Sequence, residues 1–337
     1  MSVPRISSIH PLRAVEGGRV TIEGDDLVPD EAGASLPIIT MGGVQTRVVF
    51  ASRRVVSALV PSGLNGGRTP VRIDGGSGET AFIDVGRAVA TGLHQVDSPA
   101  IDGEGTLFVT YSGTRGERAP VSVFRIRSDG YREPFVTGIT NATSLVFAPD
   151  GHLHVSSRFE GTVYRVADDG SFEVVATDLG VACGMAFSAD GTLYVGDRSG
   201  TVFRVATSGH ATAFATLPAS IAAFHLAWGH DDGLYASAPT LSPYDRVYRI
   251  DRTGRVEPVS STFGRPQGLA FDTHGVLHVV EALAGVSGVY RLDRDGNRNC
   301  VLAGPRLVGI TFDSFGGFVV ASSETAYQFD ATRRPSA

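Results

Sequence analysis

Six short apolar segments in the last three-quarters of the chain end on a matching anchor residue: Ile101, Phe147, Phe187, Trp228, Phe271 and Phe312. The residues leading into these anchors differ in chemistry. Four positions before them stand Asp97, Thr143, Cys183, Phe224, Gln267 and Val308. Three before stand Ser98, Ser144, Gly184, His225, Gly268 and Gly309. Six before stand Gln95, Asn141, Val181, Ala222, Arg265 and Arg306. A carboxylate at Asp97 would hold a hard cation or take a proton, and His225 would do acid–base work. Arg265 and Arg306 would clamp a carboxylate or phosphate group. Asn141, Thr143, Cys183 and Gln267 would contact a small polar ligand. Segments further along end in Tyr111, Ser157, Asp197, Ala238, Glu281 and Ser322, which adds Glu281 as a third candidate for catalysis.

Each candidate also has a structural reading. Asp97 precedes Ser98-Pro99 and suits an Asx turn. His225, beside Phe224, suits a hydrogen-bonded core position. Asp197 suits a turn cap. Cys183 has no basic neighbour in sequence and suits a small buried filler. His154 and His278 fall where other segments carry Phe108, Tyr194 and Tyr235, so packing between layers is expected of them. The chain has no G-x-S-x-G, no H-E-x-x-H and no phosphate-binding loop.

What must position these residues is a repeat. DGEGTLFV at Asp102, APDGHLHV at Ala148, SADGTLYV at Ser188, HDDGLYAS at His230, DTHGVLHV at Asp272 and DSFGGFVV at Asp313 are copies of one turn and strand. Most are followed by a V-Y/F-R strand, as in GTVYRV at Gly161 and GVYRLD at Gly288. The turn glycines, read as Gly105, Gly151, Gly191, Gly233, Gly275 and Gly316, are spaced by 46, 40, 42, 42 and 41 residues. A period near 40–45 with all-strand units predicts propeller blades. The sixth copy lacks a last strand, and GRAVATG at 86–92 resembles the last strand of other copies. The ring is therefore expected to close by pairing that strand beside Thr325–Asp330, which removes an exposed edge. Residues 86–337 divide into six units of 42.

PQGLAFDTHGVLHVVE at Pro266 and CGMAFSADGTLYVGD at Cys183 resemble the NHL-repeat propellers and the gluconolactonase/senescence-marker-protein (regucalcin-like) six-bladed propellers. The lactonase resemblance implies a hydrolase acting on a lactone or sugar-derived substrate at the channel mouth. It also implies a divalent cation (calcium, magnesium, manganese or zinc) held four positions before the anchors in the first, third, fourth and fifth blades. This chain offers Asp97, Cys183, Phe224 and Gln267 there, where the family carries Glu, Asn, Asn and Asp. Asp97 would be the metal ligand or general base, with His225 or Glu281 supplying a missing ligand or base. The NHL resemblance implies the alternative, a non-catalytic propeller that binds a ligand or a protein.

The first 85 residues lack the repeat. PRISSIHP at Pro4, Gly17-Gly18, VTIEGDDL at Val20 and VPSG at Val60 resemble the IPT/TIG immunoglobulin-like family. The expected whole is all-β: an N-terminal immunoglobulin-like β-sandwich over 1–85 plus a six-bladed β-propeller over 86–337. A docking or spacing role is expected for the sandwich, which would make it the route to any protein partner. Its acidic residues Glu23, Asp25, Asp26, Asp30 and Glu31, a net charge of −6 and the lack of a basic run argue against nucleic acid. Two cysteines, Cys183 and Cys300, do not make a disulfide framework. No stretch has transmembrane length and the N-terminus has no apolar leader, so no membrane contact and a cytoplasmic location are expected. A secreted location would need a leader beyond this sequence.

Overall fold

The computed structural model describes residues 3–28, 36–76, 80–127, 129–259, 262–283 and 285–331; Asp30 and Glu31 lie outside them. All the regular structure in these residues is strand. No helix is long and apolar enough to cross a membrane. The chain forms two compact units. One is Met1–Ala88 with Leu283–Tyr290 and Cys300–Arg306; the other is Val89–Ala282 with Arg291–Asn299 and Leu307–Ala337.

The first unit is a β-sandwich. One sheet runs in the order Arg5–His10, Arg19–Asp25, Val55–Leu59, Arg47–Ala51, and a second holds Ala81–Val85, Gly67–Ile73, Ile39–Met41 and Val44–Gln45. Alternation decides what faces inward: Val20 and Ile22 are fully buried between exposed Arg19 and Glu23. With Ile39, Met41, Val56, Ala58 and Ile83 they form the core between the sheets.

The second unit is built of blades. Blade one runs Ala100–Ile101, Leu107–Thr110, Val123–Ile126, Arg132–Val136. Blade two starts at Ala142–Phe147, blade three at Ala182–Phe187 and blade four at His225–Trp228, each followed by three antiparallel strands; blade five runs Pro266–Phe271, Leu277–Glu281, and its next strands, Gly288–Leu292 and Arg298–Ala303, are divided between the two units. Blade six runs Leu307–Phe312, Phe318–Ser322, Thr325–Phe329, and its outermost strand is Arg87–Thr91 from the start of the ring.

The repeat serves two physical needs. Four residues after each anchor the backbone turns left-handed, at Gly105, Gly151, Gly191, Gly275 and Gly316 (φ 75–89°). In blade four this position is Asp232 (φ 58°) and not Gly233, so the glycine alignment slips by one residue there. Aspartate reaches this conformation more readily than most non-glycine residues. The second need is adhesion between blades. In five of the six blades a ring on the second strand packs on the next blade's anchor: Phe108 on Phe147, His154 on Phe187, Tyr194 on Trp228, Tyr235 on Phe271 and His278 on Phe312, at 4.9–5.5 Å between centroids; blade six has Val319 in that slot. His154 and His278 are thus packing residues, as their slot predicts.

Candidate functional site

The innermost strands surround an axis, and their side chains decide how open it is. Three positions before the anchors, Gly184, Gly268 and Gly309 leave no room beside their neighbours. A Cβ on Gly309 would lie 2.3 Å from Ser98 Cα, and one on Gly184 would lie 2.3 Å from the Phe224 carbonyl oxygen. The Gly184 amide donates to that oxygen at 2.6 Å. Second-strand serines fix the neighbouring blade's strand: Ser156 Oγ donates to the Cys183 carbonyl at 2.7 Å and Ser237 Oγ to the Gln267 carbonyl at 2.5 Å.

In this ring of small residues His225 is the one large side chain. Its Nδ1 lies 2.6 Å from Asp97 Oδ1, with both side chains buried. Blades one and four are opposite members of a six-membered ring, so this bond spans the axis. Asp97 Oδ1 also accepts the Ser98 amide at 2.6 Å, and Gln95 Nε2 donates to the Asp97 carbonyl while Gln95 Oε1 accepts the Thr110 amide. His225 Nε2 is buried with no hydrogen-bond partner among the described residues.

Cavities lie at two levels of the ring. One, about 360 Å³, is bordered by Asp97, Ser98, Ser144, Leu145, Met185, Leu226, Leu269 and Ile310. The other, about 320 Å³, is the mouth formed by the approach loops. It is lined by His94, Gln95, Thr143, Arg158, Cys183, Arg198, Gln267 and Ser323 with Val96, Val181, Ile221–Ala223 and Val308. A larger cleft of about 530 Å³ runs over Tyr235, Phe271, Leu277 and Arg291, but it gathers outer turns and not approach loops.

The structure sorts the sequence candidates. Thr143, Cys183 and Gln267 come together in the mouth. Asp97 borders the other cavity, drawn toward His225. Asn141 does not face a ligand: at φ 51° its Oδ1 accepts the Gly116 amide at 2.7 Å and its Nδ2 donates to the Ser112 and Thr114 carbonyls, clamping the 112–116 loop. Glu281 is fully buried and accepts the Gly264 and Arg265 amides at 2.7 and 2.8 Å, with Arg298 at 3.4 Å. Asp197 does the same in blade three, accepting the Val181 amide at 2.8 Å and bonding Ser199. Glu281 thus holds a turn. Arg265 and Arg306 are exposed and line neither cavity of the ring.

The four positions at which the lactonase resemblance implies a divalent cation do not form a donor set. The Asp97 carboxylate already serves His225 and the Ser98 amide, and Phe224 is apolar and fully buried. Burial pushes the Cys183 thiol up to about 11, so it is protonated at neutral pH and neither a ligand nor a nucleophile. Gln267 is left as the one neutral oxygen donor. Among the described residues no three His, Cys, Asp or Glu side chains are placed to share an ion.

Four polar mouth residues escaped the sequence reading, His94, Arg158, Arg198 and Ser323. His94 is half-buried, and burial followed by the charge of Arg158 lowers its pKa below 6.5, which leaves it neutral at pH 7. Arg158 Nε is buried with no hydrogen-bond partner among the described residues, and burial, Arg115 and Arg198 all disfavour its charge. Arg198 Nε donates to the Ser220 carbonyl at 3.2 Å. Both arginines directly follow second-strand ends already singled out, Ser157 and Asp197, and Ser323 likewise follows Ser322. Moving that alignment one residue onward would have found Arg158, Arg198 and Ser323, though not His94.

Comparison with known proteins agrees with this architecture. The IPT/TIG domain matches residues 4–84. No curated protein matches the sequence. A structural-genomics protein of unknown function from Bacteroides thetaiotaomicron is similar over 97% of this chain and 98% of its own, at 17% identity and a TM-score of 0.61. An auxiliary nutrient binding protein from the same organism is similar over 97% and 98%, at 14% identity and a TM-score of 0.57. A gluconolactonase from Xanthomonas campestris is similar over 72% of this chain and 88% of its own, at 17% identity and a TM-score of 0.59. At such identities the likeness is one of fold: an immunoglobulin-like sandwich and a six-bladed propeller.

Proposed function

We propose that the second unit is a hydrolase of small polar, lactone- or sugar-derived molecules, acting at the channel mouth. The observation that carries this reading is the gathering of a neutral imidazole, His94, with Arg158, Thr143 and Gln267 around one cavity of about 320 Å³. That volume suits a ligand of monosaccharide size. The similarity of the fold to a gluconolactonase supports the reaction class.

In this reading the side-chain amide of Gln267 and the Ser323 hydroxyl orient the substrate, while Gln95 and Thr143, spent on backbone groups, hold the wall of the cavity. His94 accepts a proton from water as the water oxygen bonds to the lactone carbonyl carbon. The ring carbon–oxygen bond then breaks, and the imidazolium returns its proton to the departing ring oxygen, giving a hydroxy acid. No step is routed through a cation, because the four candidate positions do not form a donor set.

A second reading is a non-catalytic ligand-binding propeller. It is favoured by the likeness, across nearly the whole chain, to an auxiliary nutrient binding protein. A panel of lactones and esters, assayed with wild type and His94→Gln with and without added calcium, magnesium, manganese or zinc, separates the two. Turnover lost in His94→Gln supports the hydrolase. No turnover on any member leaves the binding reading.

A further inference from the structure

The mouth cavity is lopsided in charge. Arg158, Arg198 and His94 line it, and no aspartate or glutamate does. Neither arginine is ion-paired among the described residues, although the same unit pairs Arg125, Arg165, Arg249 and Arg252 with carboxylates. Two acids of the same ring are already committed, Asp97 to His225 and Asp197 to the Val181 amide and Ser199. Arg158 points a buried Nε–H at no acceptor, which is an unfavourable arrangement for a guanidinium. The concentration of like charge with an unused donor in a concave site is what an oxyanion would relieve.

We propose that Arg158 and Arg198 form an oxyanion subsite that binds a carboxylate or phosphate group carried by the ligand of the mouth. A guanidinium donates two parallel hydrogen bonds to either group, which fixes its orientation as well as its charge. Of the remaining lining, Gln267 and Ser323 supply neutral donors and acceptors for hydroxyl groups, while Gln95 and Thr143 are spent on backbone groups. The ligand class is therefore a small polyhydroxylated anion. Burial of Arg158 and the nearby charges of Arg115 and Arg198 make its charged form costly without such a ligand, which supports the assignment. His94 feels the same field and would gain protons more readily once an anion is seated. The proposal rests on the mouth being the ligand site, but not on hydrolysis occurring there.

The test is titration calorimetry and thermal melting of the full chain with inorganic phosphate and with D-gluconate, at constant ionic strength set by chloride. Wild type is expected to bind at least one of them saturably, and the probe that saturates identifies phosphate or carboxylate as the group. Arg158→Gln and Arg198→Gln are each expected to weaken that binding tenfold or more, with partial recovery in Arg158→Lys. Arg198 is exposed, so its variant serves if Arg158→Gln fails to fold. No saturable binding of either probe, or unchanged affinity in both glutamine variants, overturns the subsite. Saturable binding lost in the variants, without turnover of any lactone, upholds the subsite while the hydrolase reading falls. Lactone turnover without saturable binding of either probe does the reverse.

Discussion

Asp97 and His225, 128 residues apart in sequence, meet across the propeller axis with Oδ1 and Nδ1 2.6 Å apart. This bond joins opposite blades and puts an imidazole where the neighbouring blades have glycine or serine. It also engages the carboxylate that the lactonase resemblance reserves for a cation.

Because the pair is buried, removing one partner leaves the other without compensation. His225→Ala is expected to destabilise the protein by about 3–5 kcal/mol. The check is a urea midpoint measured with and without added calcium. If calcium restored the lost stability, Asp97 would be a metal site held in check by His225.

Glu281→Ala is expected to lower stability by about 3 kcal/mol, from two amides losing a charged acceptor. The pH profile of any turnover should stay unchanged. A displaced profile would return Glu281 to the reaction, against its position under the Gly264–Arg265 turn.

His94 must be neutral to accept a proton, so kcat/KM is expected to fall on acidification with a midpoint below 6.5. Arg158 is one cause of that low value, so Arg158→Gln should move the midpoint upward, toward 6.5. The same variant should melt no lower than wild type in the absence of ligand, since a desolvated charge is removed. A merely structural arginine would lower the melting temperature when replaced.

Burial also lowers the His154 pKa, with its ring packed on Phe187. The unfolded chain then binds more protons than the folded one from about pH 6.5 down to the folded value. Stability is therefore full above pH 6.5 and falls as the pH drops through that window. Denaturation midpoints at pH 7.5 and 5 should differ less in His154→Phe than in wild type.

Gly309→Ala would place a Cβ 2.3 Å from Ser98 Cα, a backbone atom that cannot swing aside. Destabilisation of about 2 kcal/mol or more is expected from the forced shift of blade six against blade one. Gly103→Ala, where a Cβ meets open space, is the control, and equal melting temperatures for the two variants would show the ring looser than drawn.

The sequence alone determined the blades. Turn glycines, alternating apolar residues and the aromatic slot recur because each copy solves the same local problem of turning tightly and packing on the next copy. Such constraints act over a few residues and therefore show in any one segment. The slip at Asp232 marks their limit, since a second residue type can meet the same backbone need. The site was legible only in part. Thr143, Cys183 and Gln267 reach the mouth because they share a phase with the repeat. Asp97 shares it too, yet its role was fixed by His225 from the opposite blade, a meeting that ring closure alone creates. Asn141 and Glu281 look like ligands by type and are spent on backbone amides, and in Asn141 carbonyls, that only the folded loops bring near. His94, Arg158 and Arg198 acquire their shared field from three separate blades converging on one axis. Charge that adds through space leaves no period in the sequence, and so the tertiary structure alone brought these three side chains to one cavity.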